Sequence, residues 1–380
     1  MEIHVGCGSG VETATKLELR EMGIDAPCIN GRFIFEGGGD EIVKCNLLLR
    51  TADRVQVRLA KFPASTFDEL FEGVKEVNWA DIIPRDAAII VNAKSVKSKL
   101  TAVSSIQSVS KKAIVESLKK KYATLPETGA AVRIEINLFQ EEVSVLLDTS
   151  GDGLHKRGYR DLVWQAPIRE TLAAAIIKLS VWAPDRALID AFCGSGTIPI
   201  EAAMSALNIP AGYFRKFAFE DLSLVERGLL EKRRREAEEK IERDKKLRVS
   251  GFDINPKAIK LAMHHAKNIG LEKYIHFETK DMRGISSRYK YGVIISNPPY
   301  GERLMEEREL RELYKDFGKL YRSMDGWSLY TITAYPDFER CFGKKADGNR
   351  KMYNAGIECR LYRYLGPKPK AASDCDSERL

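Results

Sequence analysis

Asn297-Pro298-Pro299-Tyr300 follows the apolar run YGVIIS, and its residue types suit the activation of a planar amine. An exocyclic amine on a nucleobase delocalises its lone pair into the ring, so the nitrogen is a poor nucleophile. Two acceptors aimed at its two N–H groups draw it toward tetrahedral geometry and turn the lone pair outward. The side-chain oxygen of Asn297 and the backbone carbonyl of Pro298 have that chemistry, and prearranged acceptors of this kind supply much of an enzyme's rate enhancement. The prolines fix the backbone direction and bring no competing N–H. Tyr300 offers an aromatic face for a base, commonly for about 1–3 kcal/mol.

Three carboxylates mark where a nucleotide-like ligand would lie. Asp190 closes ALID, Asp253 closes the next apolar run in GFDIN, and Asp281 follows a third in TKDMRG. After Asp190, Gly194 and Gly196 allow close backbone approach, and TIPIEAAMSAL reads as a helix with Pro199 in its tolerated first turn. Asp253 has the oxygens to grip two ribose hydroxyls. A second cluster, VGCGSG, contains Gly6, Gly8 and Gly10, with Glu36 as the nearest counterpart of the second-strand acid. No acid precedes it and nothing like SNPPY follows within a domain's length, so it reads as a loop entering a helix.

These residues need a frame, and the chain supplies two. From about residue 165 the pattern alternates strands with helices, which predicts a parallel α/β sheet: ALIDAFC, RVSGFDI, IHFETKD, YGVIISN and SLYTITA, closed by the hairpin MYNAGIECRLYRYL. The preceding half reads as α+β, with a hairpin at Asn30-Gly31, an amphipathic helix before Trp79 and a second hairpin in AVRIEINLFQEEVSVLLDTS. Residues 222–248 read as a long charged helix whose opposite charges recur at i, i+4, predicting a solvated face. The tail 367–380 reads as disordered.

Composition narrows the class. A chain of 380 residues is expected to hold two or three domains. The seven cysteines include no CxxC pair, so no zinc site is expected. With no run of 18 apolar residues and no basic-then-apolar leader, the expected location is the cytoplasm, away from membranes. A net charge of +7 is compatible with a polyanionic partner.

DAFCGSGTIPIEAA, GFDINPKAIKLAMHHAKNIG, KDMR and SNPPYGERL together resemble the motifs of the THUMP-domain RNA guanine-N2 methyltransferases. HKRGYR (155–160), QAPIRETLAAA (165–175) and RKMYNAGIECRLYRY (350–364) extend the match from residue 155 nearly to 365. Ala191 stands where the family usually has proline. The resemblance implies a Rossmann-like class I domain over 156–366, a ferredoxin-like region over 1–60 and an RNA-binding THUMP domain over 61–155. It implies S-adenosylmethionine as methyl donor, contacted by Asp190, Phe192, Gly194, Gly196, Thr197, Asp253, Ile254, Asp281, Met282 and Asn297, with Asp253 at the ribose and Asp281 near the adenine amine. Asn297, Pro298 and Tyr300 would hold the guanine.

RNA is the expected partner, with 23S rRNA favoured over tRNA and no obligate protein partner implied. Lys94, Lys97, Lys99, Lys111, Lys112, Lys119 and Lys120 cluster in the α+β half as candidate phosphate contacts. His155, Lys156, Arg157 and Arg160 position the RNA or the catalytic loop, or tie the two halves together, and Arg303 could reach a phosphate or pair with the neighbours of Glu302. The rival readings are a tRNA guanine-N2 methyltransferase, an adenine-N6 methyltransferase, since NPPY serves either amine, and a non-catalytic RNA-binding assembly factor.

Overall fold

The computed structural model describes residues 1–162, 167–300 and 306–368. Two compact units emerge. One comprises Met1–Cys7, Thr15–Arg157 and Pro210–Glu239; the other comprises Gly8–Ala14, Gly158–Ile209 and the chain from Lys240 onward.

The first unit is built on one seven-stranded sheet. Its strands are β1 (Glu2–Cys7), β2 (Cys28–Ile29), β3 (Arg32–Glu36), β4 (Ala52–Pro63), β5 (Ala88–Val96), β6 (Ala131–Phe139) and β7 (Glu142–Asp148). Their order is β2-β3-β1-β4-β7-β6-β5, and β4 runs across the expected 60/61 border while pairing with both β1 and β7. Around them lie α1 (Glu12–Glu21), α2 (Gly39–Leu48), α3 (Phe67–Lys75) and α4 (Val103–Lys119). In β6 the side chains Val132, Ile134, Ile136 and Leu138 alternate into the core, as a period of two requires. Helix α3 starts at a capping box in which the Thr66 side chain accepts from Glu69 N–H at 3.2 Å and Glu69 accepts from Thr66 N–H at 3.2 Å. Trp79 is fully buried beyond it, its indole N–H donating to the Val74 carbonyl at 2.8 Å. Helix α2 buries Ile42, Val43, Cys45 and Leu47 in the core.

The second unit is the expected α/β half. It contains α5 (Glu170–Leu179), β8 (Leu188–Asp190), α6 (Thr197–Ala206), β9 (Val249–Asp253), α8 (Pro256–Asn268), β10 (Ile275–Thr279), β11 (Val293–Ser296), α9 (Glu307–Ser323), β12 (Ser328–Thr333), α10 (Phe338–Phe342), β13 (Gly348–Asn354) and β14 (Ile357–Tyr364). The sheet order is β10-β9-β8-β11-β12-β14-β13; the first five strands are parallel and β14 lies antiparallel to β12. Every residue of β11 and β12 is buried, the pattern of strands covered on both faces. The connection order reverses between β8 and β11. Ligands of open parallel sheets bind beyond the carboxyl ends of the strands at such a reversal, and Asp190 and Asn297 stand at those two ends.

Residues 222–248 do not form one long solvated helix. The helical part is α7 (Leu229–Glu238), with Leu230 and Ala237 buried. Arg233 bonds Asp40 at 2.6 Å and Arg234 bonds the Arg215 carbonyl at 2.6 Å. These two cations take partners distant in sequence, while Glu231, Lys232, Arg235 and Glu238 remain exposed.

Candidate active site

The cofactor half of the site starts from two acids. Asp190 is 1% exposed, and burial pushes its carboxyl up to about 7. It accepts Phe192 N–H at 3.1 Å and is bonded by the Ser296 side chain, whose hydroxyl oxygen accepts Ala191 N–H at 2.9 Å. Ser296 therefore ties the ends of β8 and β11 together. Asp253 accepts Gly194 N–H through Oδ2 at 3.0 Å and Asn255 N–H through Oδ1 at 2.9 Å. These bonds pin the glycine loop and the start of α8 while leaving lone pairs on both oxygens. Gly196 precedes α6 at φ +83°, and a Cβ there would lie 2.9 Å from Ala262 Cβ and 3.0 Å from the Phe277 ring. Only glycine lets the helix begin that close to β10.

The other expected cofactor contacts divide. Ile254 is 69% exposed immediately after Asp253, an apolar face left at a strand end. Thr197 is buried at the start of α6, where its hydroxyl is bonded by Arg160. Phe192 packs edge-on against Phe317 at 5.1 Å, and Met282 belongs to the hydrophobic core. Asp281 caps the turn Met282–Gly284, accepting Arg283 N–H at 2.8 Å and pairing with Arg283 Nη1 at 2.9 Å. Its carboxylate is oriented by its own loop before any ligand arrives.

The acceptor half is the NPPY segment. Asn297 Oδ1 is shielded from solvent and has no hydrogen-bond partner among the described residues. A buried acceptor in that condition costs about 1–3 kcal/mol, so it is a place for a ligand's donor. Tyr314 of α9, fully buried, donates to the Pro299 carbonyl at 2.9 Å and meets Thr333 Oγ1 at 2.8 Å. Tyr300 accepts from Asn354 Nδ2 at 2.9 Å, and burial raises its hydroxyl pKa, keeping the phenol neutral. Sequence reasoning did not single out Ser296, Tyr314, Thr333 or Asn354. Ser296 and Asn354 lie inside quoted motifs, whereas Tyr314 and Thr333 look like ordinary core positions.

Among the candidate RNA contacts, Lys97, Lys99, Lys119 and Lys120 are exposed and form no ion pair with the described residues. Lys94 pairs with Glu135 at 3.3 Å, Lys111 with Glu127 at 2.8 Å and Lys156 with Asp152 at 3.3 Å, while Lys112 lies 5.8 Å from the Phe71 ring centre. His155 is half-buried. Arg157 corrects the sequence reading: it is 1% exposed, and its guanidinium donates to the carbonyls of Leu154, at 2.8 Å, and Arg50. A cation enclosed by its own fold meets no phosphate. Arg160 is likewise engaged inside the protein, pairing with Glu170 at 3.1 Å and bonding Thr197. Arg303, part of the tail and the start of QAPIRETLAAA lie outside the described residues.

Comparison with known proteins finds three successive family matches along the chain. An RlmL ferredoxin-like domain matches residues 2–56, a THUMP domain residues 64–148 and an RMKL-like methyltransferase domain residues 157–363. A Bacillus subtilis relative named "Putative RNA methyltransferase YpsC" is 43% identical over 359 residues, 93% of each chain. The crystal structure of SMU.472, described as a putative methyltransferase complexed with SAH, matches at TM-score 0.90 and 41% identity, covering 97% of this chain and 99% of that one. A Listeria monocytogenes structure, described as a predicted N6-adenine-specific DNA methylase, matches at TM-score 0.90 and 42% identity over 96% of each.

Proposed function

The chain belongs to the RMKL-like methyltransferase family, and from that premise we propose that it transfers a methyl group from S-adenosylmethionine to the exocyclic N2 amine of a guanine in RNA, with 23S rRNA as substrate. The observation that carries this reading is the buried, unpartnered Asn297 Oδ1 at the end of β11, beside the Asp190 loop.

The residues present fit the donor. Asp253 would hold the ribose hydroxyls with the lone pairs that Gly194 and Asn255 leave, Ile254 would lie along the adenine, and Asp281 would meet its amine. The buried Asp190 carboxyl would face the cationic end of the ligand. When bound, S-adenosylmethionine supplies an electrophilic methyl group on its sulfonium.

The chain's own work is to make the amine nucleophilic. Asn297 Oδ1 and the Pro298 carbonyl accept its two hydrogens, which concentrates the lone pair on nitrogen and aims it away from the acceptors. Tyr314 fixes the next carbonyl along, that of Pro299, so the loop cannot rotate its acceptors out of place. Tyr300, held by Asn354, provides the stacking face. A base reached this way is flipped from a helix or lies in a single-stranded segment. Lys97, Lys99, Lys119 and Lys120 supply phosphate contacts on the first unit.

The test is methyl transfer from S-adenosylmethionine by the purified chain to total RNA lacking the modification, followed by nucleoside mass spectrometry. N2-methylguanosine in 23S rRNA is the expected product. N6-methyladenosine would replace guanine by adenine, and label confined to tRNA would move the substrate. Absence of both transfer and S-adenosylmethionine binding would leave a non-catalytic RNA-binding factor.

A further inference from the structure

Asn354 ends β13 and is 5% exposed. Its Nδ2 donates to the Tyr300 hydroxyl, while its Oδ1, shielded from solvent, has no hydrogen-bond partner among the described residues. The phenol fixes which way this amide points. The phenol oxygen lies 2.9 Å from Asn354 Nδ2, which has only hydrogens to offer it. The phenol therefore meets Asn354 as an acceptor, which sets Nδ2 against it and turns Oδ1 away.

Two unpartnered amide oxygens are thus tied to one short segment: Asn297 begins it, and Asn354 holds the tyrosine three residues on. Leaving a buried acceptor unpaired is costly, so the Asn354 oxygen, on the residue that holds Tyr300, is a place for a ligand's donor.

We propose that Asn354 is a specificity-determining residue whose Oδ1 accepts the ring N1–H of the target base, selecting guanine among the bases that carry an exocyclic amine. The proposal rests on the amine-methylating reading above and extends it. Asn297 Oδ1 and the Pro298 carbonyl alone would accept amine hydrogens from guanine, adenine or cytosine. Beside its amine, guanine presents a ring N–H, whereas adenine presents N1 and cytosine presents N3 as acceptors. Against Asn354 Oδ1, either of the latter sets two lone pairs facing each other where water is excluded. A site built around a donor rejects the analogue lacking it more strongly than an apolar pocket rejects a change of size.

The experiment uses the full chain and a synthetic RNA oligonucleotide spanning the mapped target, carrying there either guanine or 2-aminopurine, which keeps the 2-amine but has an acceptor at N1. We compare kcat/KM for the two bases in the unsubstituted chain, Asn354→Ala and Tyr300→Phe. The unsubstituted chain is expected to prefer guanine by about tenfold or more, the effect of an unmatched buried acceptor. Asn354→Ala is expected to shrink that preference to about twofold or less, whatever common loss comes from releasing Tyr300. Tyr300→Phe keeps the stacking ring but removes the hydroxyl that orients the Asn354 amide, so the preference is expected to shrink here as well. Calorimetric affinity for S-adenosylmethionine, unchanged in both variants, shows that the fold survives, and quenching of 2-aminopurine fluorescence reads base capture without transfer. A guanine preference that persists in Asn354→Ala overturns the proposal and leaves Asn354 as a support for Tyr300 alone. Failure of the unsubstituted chain to methylate guanine, with S-adenosylmethionine bound, strikes the methyltransferase reading itself and removes this inference with it.

Discussion

Two glycine-rich loops, VGCGSG at residues 5–10 and FCGSG at 192–196, share a spacing and differ in what their glycines approach. Gly194 donates its N–H to Asp253, and Gly196 lets α6 start against Ala262 and Phe277 with the buried Asp190 behind it. Gly10 instead lies against the backbone of β13. A Cβ there would be 2.2 Å from the Lys351 carbonyl oxygen, and Arg350 bonds the Gly10 carbonyl at 3.3 Å and Thr13 Oγ1 at 2.9 Å. Glycine reports that something comes close; only the neighbouring carboxylates say whether it is a ligand or the chain itself.

The largest effect that would break this comparison is expected at Gly196. Gly196→Ala places a side chain at φ +83° and drives its Cβ to 2.9 Å from Ala262. Left-handed strain on a non-glycine residue costs about 1–3 kcal/mol, so affinity for S-adenosylmethionine is expected to fall by roughly 10- to 100-fold in a calorimetric titration. An affinity within twofold of the parent would mean that this loop is no more a cofactor loop than the first.

Gly10→Ala is the matching substitution and is expected to leave that affinity unchanged. Its Cβ must push β13 away, and β13 ends in Asn354, which holds Tyr300. Methyl transfer is expected to drop by about tenfold, the scale of one displaced hydrogen bond, with faster amide exchange across residues 348–354. Gly6→Ala is the control, because its Cβ would meet only the Arg54 carbonyl, at 3.9 Å. Loss of cofactor binding in Gly10→Ala would show that the two loops share a ligand.

What the sequence made legible follows the same logic. The acids at 190, 253 and 281 and the NPPY segment could be read because strand, loop and acid recur in order along the chain, and the α/β half emerged with all five expected strands. Long-range partners could not be read. Arg157 sat among exposed-looking cations in HKRGYR, yet the Arg50 carbonyl, 107 residues away, takes it inside. Arg233 looked solvated until Asp40, 193 residues away, supplied its partner. Tyr314 carries no local sign of its bond to Pro299, since an aromatic on an amphipathic helix is ordinarily core.

The smallest expected effect concerns the acid behind the second loop. Burial lifts Asp190 from the ordinary 3.8 to about 7, so between these values the folded chain keeps a proton that the unfolded chain has released. The stability this group contributes is full below about pH 4 and is lost as pH rises through about 7. Asp190→Asn removes the titration, and its melting temperature is expected to gain on that of the parent between about pH 5 and pH 8, by roughly 2–4 °C per kcal/mol recovered. A cationic ligand group reverses the balance by favouring the carboxylate. S-adenosylmethionine should therefore raise the parent's melting temperature more at pH 8 than at pH 5, and raise that of Asp190→Asn equally at both. Gly10→Ala should keep the parent's pH slope, because the contacts its Cβ disturbs are with Lys351 and Met352 and not with Asp190. A slope lost in Gly10→Ala but retained in Asp190→Asn would assign the titration to the wrong loop and invert the comparison.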